Sequence, residues 1–147
     1  MAGKLCDLKN TSLCAEELAR EILGGPKEKA VVIGLSGDLG SGKTAFTQAF
    51  AKALGISETV ASPTFVIEKI YKLPPGKNSR HLIHIDTYRL ESEEELRALG
   101  FEEIISDPGN IVVIEWPERV GGLIPKDALE IKFKFIDDKT REISWSS

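Results

Sequence analysis

Apolar residues along the chain follow two different spacings, one typical of strands and one typical of helices. Residues 30–35 and 111–114 are short, continuous apolar runs rich in branched side chains, and they predict buried strands. Residues 15–22 and 45–53 carry apolar side chains three and four positions apart, which predicts amphipathic helices, and a glycine follows each segment. The alternation of strand and helix predicts an α/β domain with parallel strands at its centre.

Two further pairs of segments predict antiparallel additions to that centre. Residues 64–72 and 82–86 are separated by a turn with proline and glycine that is too short for a crossover helix, so we expect a hairpin. Residues 129–136 and 141–145 alternate around an Asp-Asp-Lys turn and predict a second hairpin. We therefore expect residues 1–147 to form one domain with a mixed sheet.

Polar residues indicate where two of the helices begin. Thr11 or Ser12 is placed to cap the first helix, because a side-chain oxygen there can accept a hydrogen bond from the first turn. Ser92 and Glu95 have the spacing of a capping box, and the helix that they begin is expected to end near residues 99–100.

A glycine-rich segment joins the first predicted strand to the second helix and matches the pattern G-x-x-x-x-G-K-[S/T]. Its glycines allow backbone N–H groups to approach phosphate oxygens, and the helix directs its positive end at the anion. The lysine would reach the β- and γ-phosphates, and the threonine hydroxyl would bind Mg²⁺. The motif predicts ATP and magnesium binding by Gly37, Asp38, Leu39, Gly40, Ser41, Gly42, Lys43 and Thr44.

Two carboxylates are candidates for the acid that such a site places at the end of a neighbouring strand. Glu115 follows four apolar residues, whereas the run before Asp86 is interrupted by His84, so Glu115 is the better metal ligand by pattern. His84 and Asp86 share one face of a strand and can hydrogen-bond, although a structural histidine with satisfied hydrogen bonds is the favoured interpretation of His84. Thr64, beside a proline, lies in a segment that is either a phosphate-sensing switch or the start of a strand.

The composition and net charge of the chain argue against nucleic-acid-binding, membrane and secreted proteins. The net charge of −4 argues against a stand-alone nucleic-acid-binding protein, which usually has a basic face. No apolar stretch approaches the roughly 20 residues that span a bilayer, and no secretory leader is recognisable, so we expect a cytoplasmic protein without a membrane association. The two cysteines, Cys6 and Cys14, are expected to be free thiols in that compartment.

Several segments form one ordered set with the glycine-rich segment. They are Ser62-Pro63-Thr64-Phe65, His84-Ile85-Asp86-Thr87-Tyr88-Arg89-Leu90, Glu94-Glu95-Leu96, Leu99-Gly100-Phe101-Glu102-Glu103, Ile114-Glu115-Trp116-Pro117 and Leu123-Ile124-Pro125. In their order and spacing, these segments resemble the bacterial TsaE (YjeE) family, the ATPase component of tRNA threonylcarbamoyladenosine biosynthesis. The resemblance covers nearly the whole chain, and it implies a P-loop NTPase-like three-layer α/β fold.

The resemblance also implies roles for individual residues. Thr44 and Glu115 would bind Mg²⁺, with Lys43 acting on the phosphates. The resemblance further implies ATPase function for Asp86, a switch role for Thr64, and nucleotide contacts for Arg141 and Ser12.

Family partners follow from the same resemblance. TsaE proteins bind the TsaB–TsaD pair, which modifies the tRNA, and ATP hydrolysis by TsaE supports repeated turnover. We therefore expect TsaB and TsaD as partners, tRNA only indirectly, and a monomer when the chain is alone. The sequence shows no obvious catalytic arginine beside the glycine-rich segment, although Arg89 or Arg119 can reach it in the fold, so we expect slow hydrolysis by the isolated chain. Arg119 is included among the candidate nucleotide-binding residues.

Two other functions remain possible from the residues. A small nucleotide kinase would need an acceptor site and an arginine-bearing lid, and the six arginines are scattered without a visible lid insertion. A GTP-dependent switch would need a guanine-recognition element, and no Asn-Lys-x-Asp sequence occurs. A comparison of ATP and GTP binding, with a search for a phosphorylated acceptor, separates these alternatives.

Overall fold

Seven strands and four α-helices form the described part of the chain. The computed structural model describes residues 2–7, 10–25, 27–37, 42–58, 60, 68–76, 78–135, 137 and 140–146, with the backbone alone at 2–7, 135, 140–142 and 145–146. The strands are β1 Ala2–Asp7, β2 Val31–Gly37, β3 Glu68–Lys72, β4 His81–Asp86, β5 Asn110–Glu115, β6 Leu129–Phe135 and β7 Thr140–Ser146. The helices are α1 Asn10–Leu23, α2 Lys43–Ala53, α3 Glu93–Ala98 and α4 Phe101–Ser106, followed by 3₁₀ turns over Pro117–Leu123.

The sheet is mixed, with the order β1-β7-β6-β2-β5-β4-β3. At its centre β2 is parallel to both β5 and β6, and β4 is parallel to β5. The outer pairs β3–β4, β6–β7 and β1–β7 are antiparallel. Both predicted hairpins and the parallel centre are confirmed, and so is the predicted three-layer α/β fold class.

Two hydrophobic cores lie on opposite faces of the sheet. On one face α1 and α2 pack together, and Phe46 and Phe50 of α2 stack with their ring centroids 6.1 Å apart. On the other face Phe101 of α4 and Leu96 of α3 cover the central strands. All six residues of β5 are buried because its two faces contact different cores, which explains its continuous apolar run.

Several local predictions differ from the structure. α1 begins at Asn10, so Thr11 and Ser12 lie inside its first turn and neither is the cap. Ser92 is the N-cap of α3, but its side chain makes no capping hydrogen bond, so the capping box with Glu95 is not formed. Cys14 is disulfide-bonded, and the expectation of two free thiols is therefore wrong.

Strand β1, helix α4 and the 3₁₀ turns are additions that the sequence patterns did not predict. β1 is stabilised by antiparallel pairing with β7, which lies at the other end of the chain. Such pairing between distant segments leaves little local signal. Within the described residues, no helix is long and apolar enough to cross a membrane.

The parallel strands determine where side chains of different elements meet. β2, β4 and β5 run in the same direction, so their carboxyl ends, at Gly37, Asp86 and Glu115, lie along one edge of the sheet. Leu35 is paired with Glu115, and Glu115 is paired with Asp86. Ligands of open α/β sheets bind outside this edge, which makes it the candidate location of the functional site.

Candidate functional site at the carboxyl edge of the sheet

The amino end of α2 brings Lys43 to the end of β2. The N-cap is Gly42, whose φ of 103° favours glycine, and it provides no side-chain cap. Lys43 is only 5% exposed, and its Nζ donates a hydrogen bond of 2.8 Å to the carbonyl of Gly37. The lysine side chain therefore connects the amino end of α2 to the end of β2.

The carboxylate of Glu115 lies buried at the end of β5. Glu115 is 4% exposed, and its Oε2 lies 2.7 Å from Nε2 of His84, which is fully buried in β4. An ionised carboxylate only accepts hydrogen bonds, so Nε2–H of His84 is the donor. Burying a carboxylate without such a partner would be costly. The partner of His84 is thus Glu115, not Asp86.

Thr87 fixes the backbone that follows Glu115. Its side chain is fully buried, and its Oγ1 lies 2.9 Å from the carbonyl oxygen of Glu115 and 2.6 Å from that of Trp116. The backbone N–H of Thr87 also donates to the Glu115 carbonyl at 3.2 Å. The segment after β4 therefore holds the junction between β5 and the 3₁₀ turns.

That junction has an unusual backbone conformation. Trp116 has a φ of 61°, and among the described residues it is the non-glycine residue with a positive φ. This left-handed conformation is strained for a bulky residue and persists where the surroundings determine it. Its N–H donates to the carbonyl of Leu35 at 3.2 Å, which adds β2 to the groups that hold it.

A row of cations and aromatic rings lies at this edge. Nζ of Lys43 lies 3.7 Å from the centroid of the Trp116 ring, and the Tyr88 ring, tilted by 53° against the Trp116 ring, lies 5.2 Å from it. The guanidinium carbon of Arg119 lies 5.0 Å from the centroid of Tyr88. Cations at such distances from aromatic faces are attracted by the ring quadrupole. The row connects the lysine of the motif to the arginine of the 3₁₀ turns.

Asp86 occupies the position next to Glu115 on the neighbouring strand. It is half-buried, and its Oδ1 accepts a hydrogen bond of 2.9 Å from the backbone N–H of Tyr88. This is the local turn that aspartate side chains commonly form. Paired residues of adjacent strands face the same side of a sheet, so the carboxylates of Asp86 and Glu115 lie on one face.

The structure therefore assembles part of the predicted site. Lys43, Asp86 and Glu115 lie at the same edge, and Arg119 reaches it through Tyr88. Thr44 is exposed next to Lys43, and Ser12 is exposed on α1. The other predicted site residues, Asp38, Leu39, Gly40, Ser41 and Thr64, lie outside the described residues, as does the side chain of Arg141, whose backbone belongs to β7.

Sequence reasoning missed three contributors to this edge. Thr87 and Tyr88 directly follow Asp86, and their position just beyond a strand end was the available signal. The third is the contact of Trp116 with Lys43, which depends on the left-handed backbone at Trp116. Nothing in the spacing of the residues indicates that conformation.

The residues present fit a magnesium-bound nucleotide. Mg²⁺ prefers oxygen ligands, and Thr44, Asp86 and Glu115 supply a hydroxyl and two carboxylates in this region. The amino end of α2 has no side-chain cap, which leaves room for a phosphate oxygen at the positive end of the helix dipole. Among the described residues, no group of three or more His, Cys, Asp or Glu could hold a metal by itself.

Comparison with known proteins identifies the family. The family model "Threonylcarbamoyl adenosine biosynthesis protein TsaE" matches residues 6–143. The chain is 40% identical over 119 residues to the tRNA threonylcarbamoyladenosine biosynthesis protein TsaE of Bacillus subtilis, a match that covers 79% of this chain and 69% of that protein. It is 35% identical over 139 residues to TsaE of Treponema pallidum, with 93% of this chain and 98% of that protein covered.

Structural comparison agrees with this result. The crystal structure of Bacillus subtilis YdiB matches with a TM-score of 0.72 and 29% identity, covering 99% of this chain and 86% of that one. The family match spans both flanks of the sheet as well as the edge that carries Lys43, Asp86 and Glu115. The resemblance inferred from the sequence is confirmed, and the chain belongs to the TsaE family of tRNA threonylcarbamoyladenosine biosynthesis proteins.

Proposed function

We propose that this chain binds ATP with Mg²⁺ and hydrolyses it, and that hydrolysis supports turnover of the TsaB–TsaD transferase. The family assigns the chain to tRNA threonylcarbamoyladenosine biosynthesis, and the carboxyl edge of the sheet is the candidate nucleotide site. The observation that carries the proposal is the position of Lys43. Its buried ammonium lies at the amino end of α2, beside the end of β2 and against the ring of the residue that follows Glu115.

Each part of the edge has a role in this proposal. Lys43 and the amino end of α2 bind the phosphates, because a cation and a helix dipole both attract them. Thr44 and Glu115 would hold Mg²⁺, which would neutralise phosphate charge during transfer. Asp86 would position the water or the neighbouring loop. Ser12, Arg119 and Arg141 are proposed nucleotide contacts, and Thr64 is the proposed switch residue.

Calorimetric titration with Mg²⁺-ATP tests the phosphate assignment. Lys43→Ala removes the proposed phosphate-binding charge and should weaken ATP binding strongly, while Lys52→Ala should bind normally. Lys52 is a matched control because it is an exposed lysine in the last turn of the same helix. Unchanged affinity in a folded Lys43→Ala protein would refute the assignment, and a GTP titration alongside establishes the base preference.

Hydrolysis tests the metal assignment separately. Glu115→Ala should reduce phosphate release more than nucleotide affinity, because the phosphates are bound mainly at the amino end of α2. Asp86→Ala is the comparison. If Glu115→Ala hydrolyses ATP normally while Asp86→Ala does not, then Asp86, rather than Glu115, is the metal ligand.

The proposal also states that the rate of ATP hydrolysis depends on the partners TsaB and TsaD. We expect slow phosphate release by the pure chain and a higher rate after TsaB and TsaD are added, because a partner can order the site and add charge to it. A fast isolated enzyme that neither binds the pair nor responds to it would contradict partner dependence and would leave the ATP site intact.

A further inference from the structure

His84 is a buried polar residue among the apolar residues of β4. Its neighbours Leu82, Ile83 and Ile85 are core residues, and the His84 side chain itself is fully buried. Nδ1 of His84 has no hydrogen-bond partner among the described residues. A buried ring nitrogen without a partner destabilises the fold, so packing alone does not account for a histidine here.

The other ring nitrogen, Nε2, makes the contact that distinguishes this position. It lies 2.7 Å from Oε2 of Glu115, and both side chains are shielded from water. His84 is paired with Val113, one sheet row before Glu115, so the imidazole reaches along the sheet toward its carboxyl edge. With Thr87 holding the backbone of Glu115 and His84 holding its carboxylate, both ends of this residue are fixed.

We propose that His84 is a positioning residue whose Nε2–H holds the Glu115 carboxylate in the orientation that receives Mg²⁺ together with the nucleotide. This inference rests on the proposed function and adds a residue to it. The hydrogen bond engages Oε2 of Glu115, and Oε1 would be the oxygen available to a cation. Groups that orient a metal-binding carboxylate typically contribute a factor of about 10 to 100 in metal affinity or activity.

The two ring nitrogens allow a sharp test. In side-chain length, the amide nitrogen of glutamine corresponds to Nε2 and that of asparagine to Nδ1. His84→Gln can therefore still donate to Glu115, whereas His84→Asn places its donor near the position that has no partner. His81→Asn is the matched control, because His81 begins the same strand and has an odd spacing from His84 that places it on the opposite face.

The measurement is the affinity for a non-hydrolysable ATP analogue, in EDTA and across a Mg²⁺ titration. In EDTA the wild type and the three variants should bind alike, since the phosphates are bound elsewhere. His84→Asn should raise the Mg²⁺ concentration that gives half of the change in analogue affinity by about 10- to 100-fold. His84→Gln should remain near the wild type. Circular dichroism and thermal unfolding verify that each variant is folded.

The outcomes separate this inference from the proposed function. If nucleotide binding by the wild type does not respond to Mg²⁺, the proposed metal site is wrong, and the positioning role of His84 is wrong with it. A responsive wild type with an equally responsive, folded His84→Asn would overturn the positioning role alone. If His84→Asn does not fold, the test rests on His84→Gln. A folded His84→Gln protein that loses the Mg²⁺ response contradicts the proposal, and a folded one that keeps the response supports it.

Discussion

Thr87→Val is the substitution whose effect the structure defines most closely. Valine has nearly the shape of threonine, so the change removes a hydroxyl from a fully buried position without opening a cavity. The hydroxyl lies within hydrogen-bond distance of the carbonyl oxygens of Glu115 and Trp116. A hydroxyl has one proton, so it makes one full hydrogen bond or shares that proton between the two carbonyls.

The loss of stability depends on which hydrogen bonds those carbonyl oxygens keep in the variant. A buried polar group left without any partner costs about 1–3 kcal/mol. Here the Glu115 carbonyl keeps the N–H of Thr87 at 3.2 Å, and the Trp116 carbonyl keeps the N–H of Arg119 at 3.1 Å. Neither acceptor is left unpaired, so the loss should be about 1 kcal/mol, near the average for one hydrogen bond. For a chain of this size that lowers Tm by about 2–4 °C.

Urea unfolding followed by circular dichroism measures this loss. We expect a lower midpoint for Thr87→Val with an unchanged slope, because the surface exposed on unfolding is the same. Thr87→Ser keeps the hydroxyl and is the control for side-chain shape. A Thr87→Val protein as stable as the wild type would refute the reasoning, and a loss well above about 3 kcal/mol would show that the junction rearranges.

Two further predictions follow from other contacts. Trp116 lies against Lys43, and a Trp145→Phe protein retains Trp116 as its one tryptophan. The tryptophan fluorescence of this variant should therefore change with added ATP until it saturates. Fluorescence that stays constant would mean that Trp116 is a packing residue that does not respond to the nucleotide. Burial raises the pKa of the Glu68 carboxyl above its ordinary 4.5. The wild type should therefore lose stability relative to Glu68→Gln as pH rises above 4.5, and the two should converge below it; equal pH profiles in thermal unfolding would contradict this.

The central fold could be predicted because its signals are local. The apolar run before Glu115 indicated a strand buried on both faces, and the short turn after residue 72 excluded a crossover helix. Strand β1 could not be found in this way, because its stabilising partner is β7 at the other end of the chain. The start of α1 was misplaced by two or three residues, since Thr11 and Ser12 also have acceptable positions inside a first turn.

The candidate site could be predicted as a set of residues but not as a geometry. Strand direction was sufficient to bring Lys43, Asp86 and Glu115 to one edge. The partner of His84 depended on the register between β4 and β5, which the apolar pattern does not specify, because both strands are apolar on both faces. The contact between Lys43 and Trp116 depended on a positive φ at a tryptophan, which residue preferences disfavour.

The junction after β5 connects the two halves of the proposed site. Glu115 is the candidate metal ligand and Trp116 is the neighbour of the phosphate-binding lysine, and Thr87 contacts the carbonyls of both. The side-chain hydrogen bond of His84 goes to the Glu115 carboxylate. Thr87→Val should therefore affect nucleotide affinity in EDTA as well as the Mg²⁺ response, whereas His84→Asn should affect the Mg²⁺ response alone. If both variants changed the two quantities in the same proportion, the backbone and side-chain contributions to this edge would not be separable.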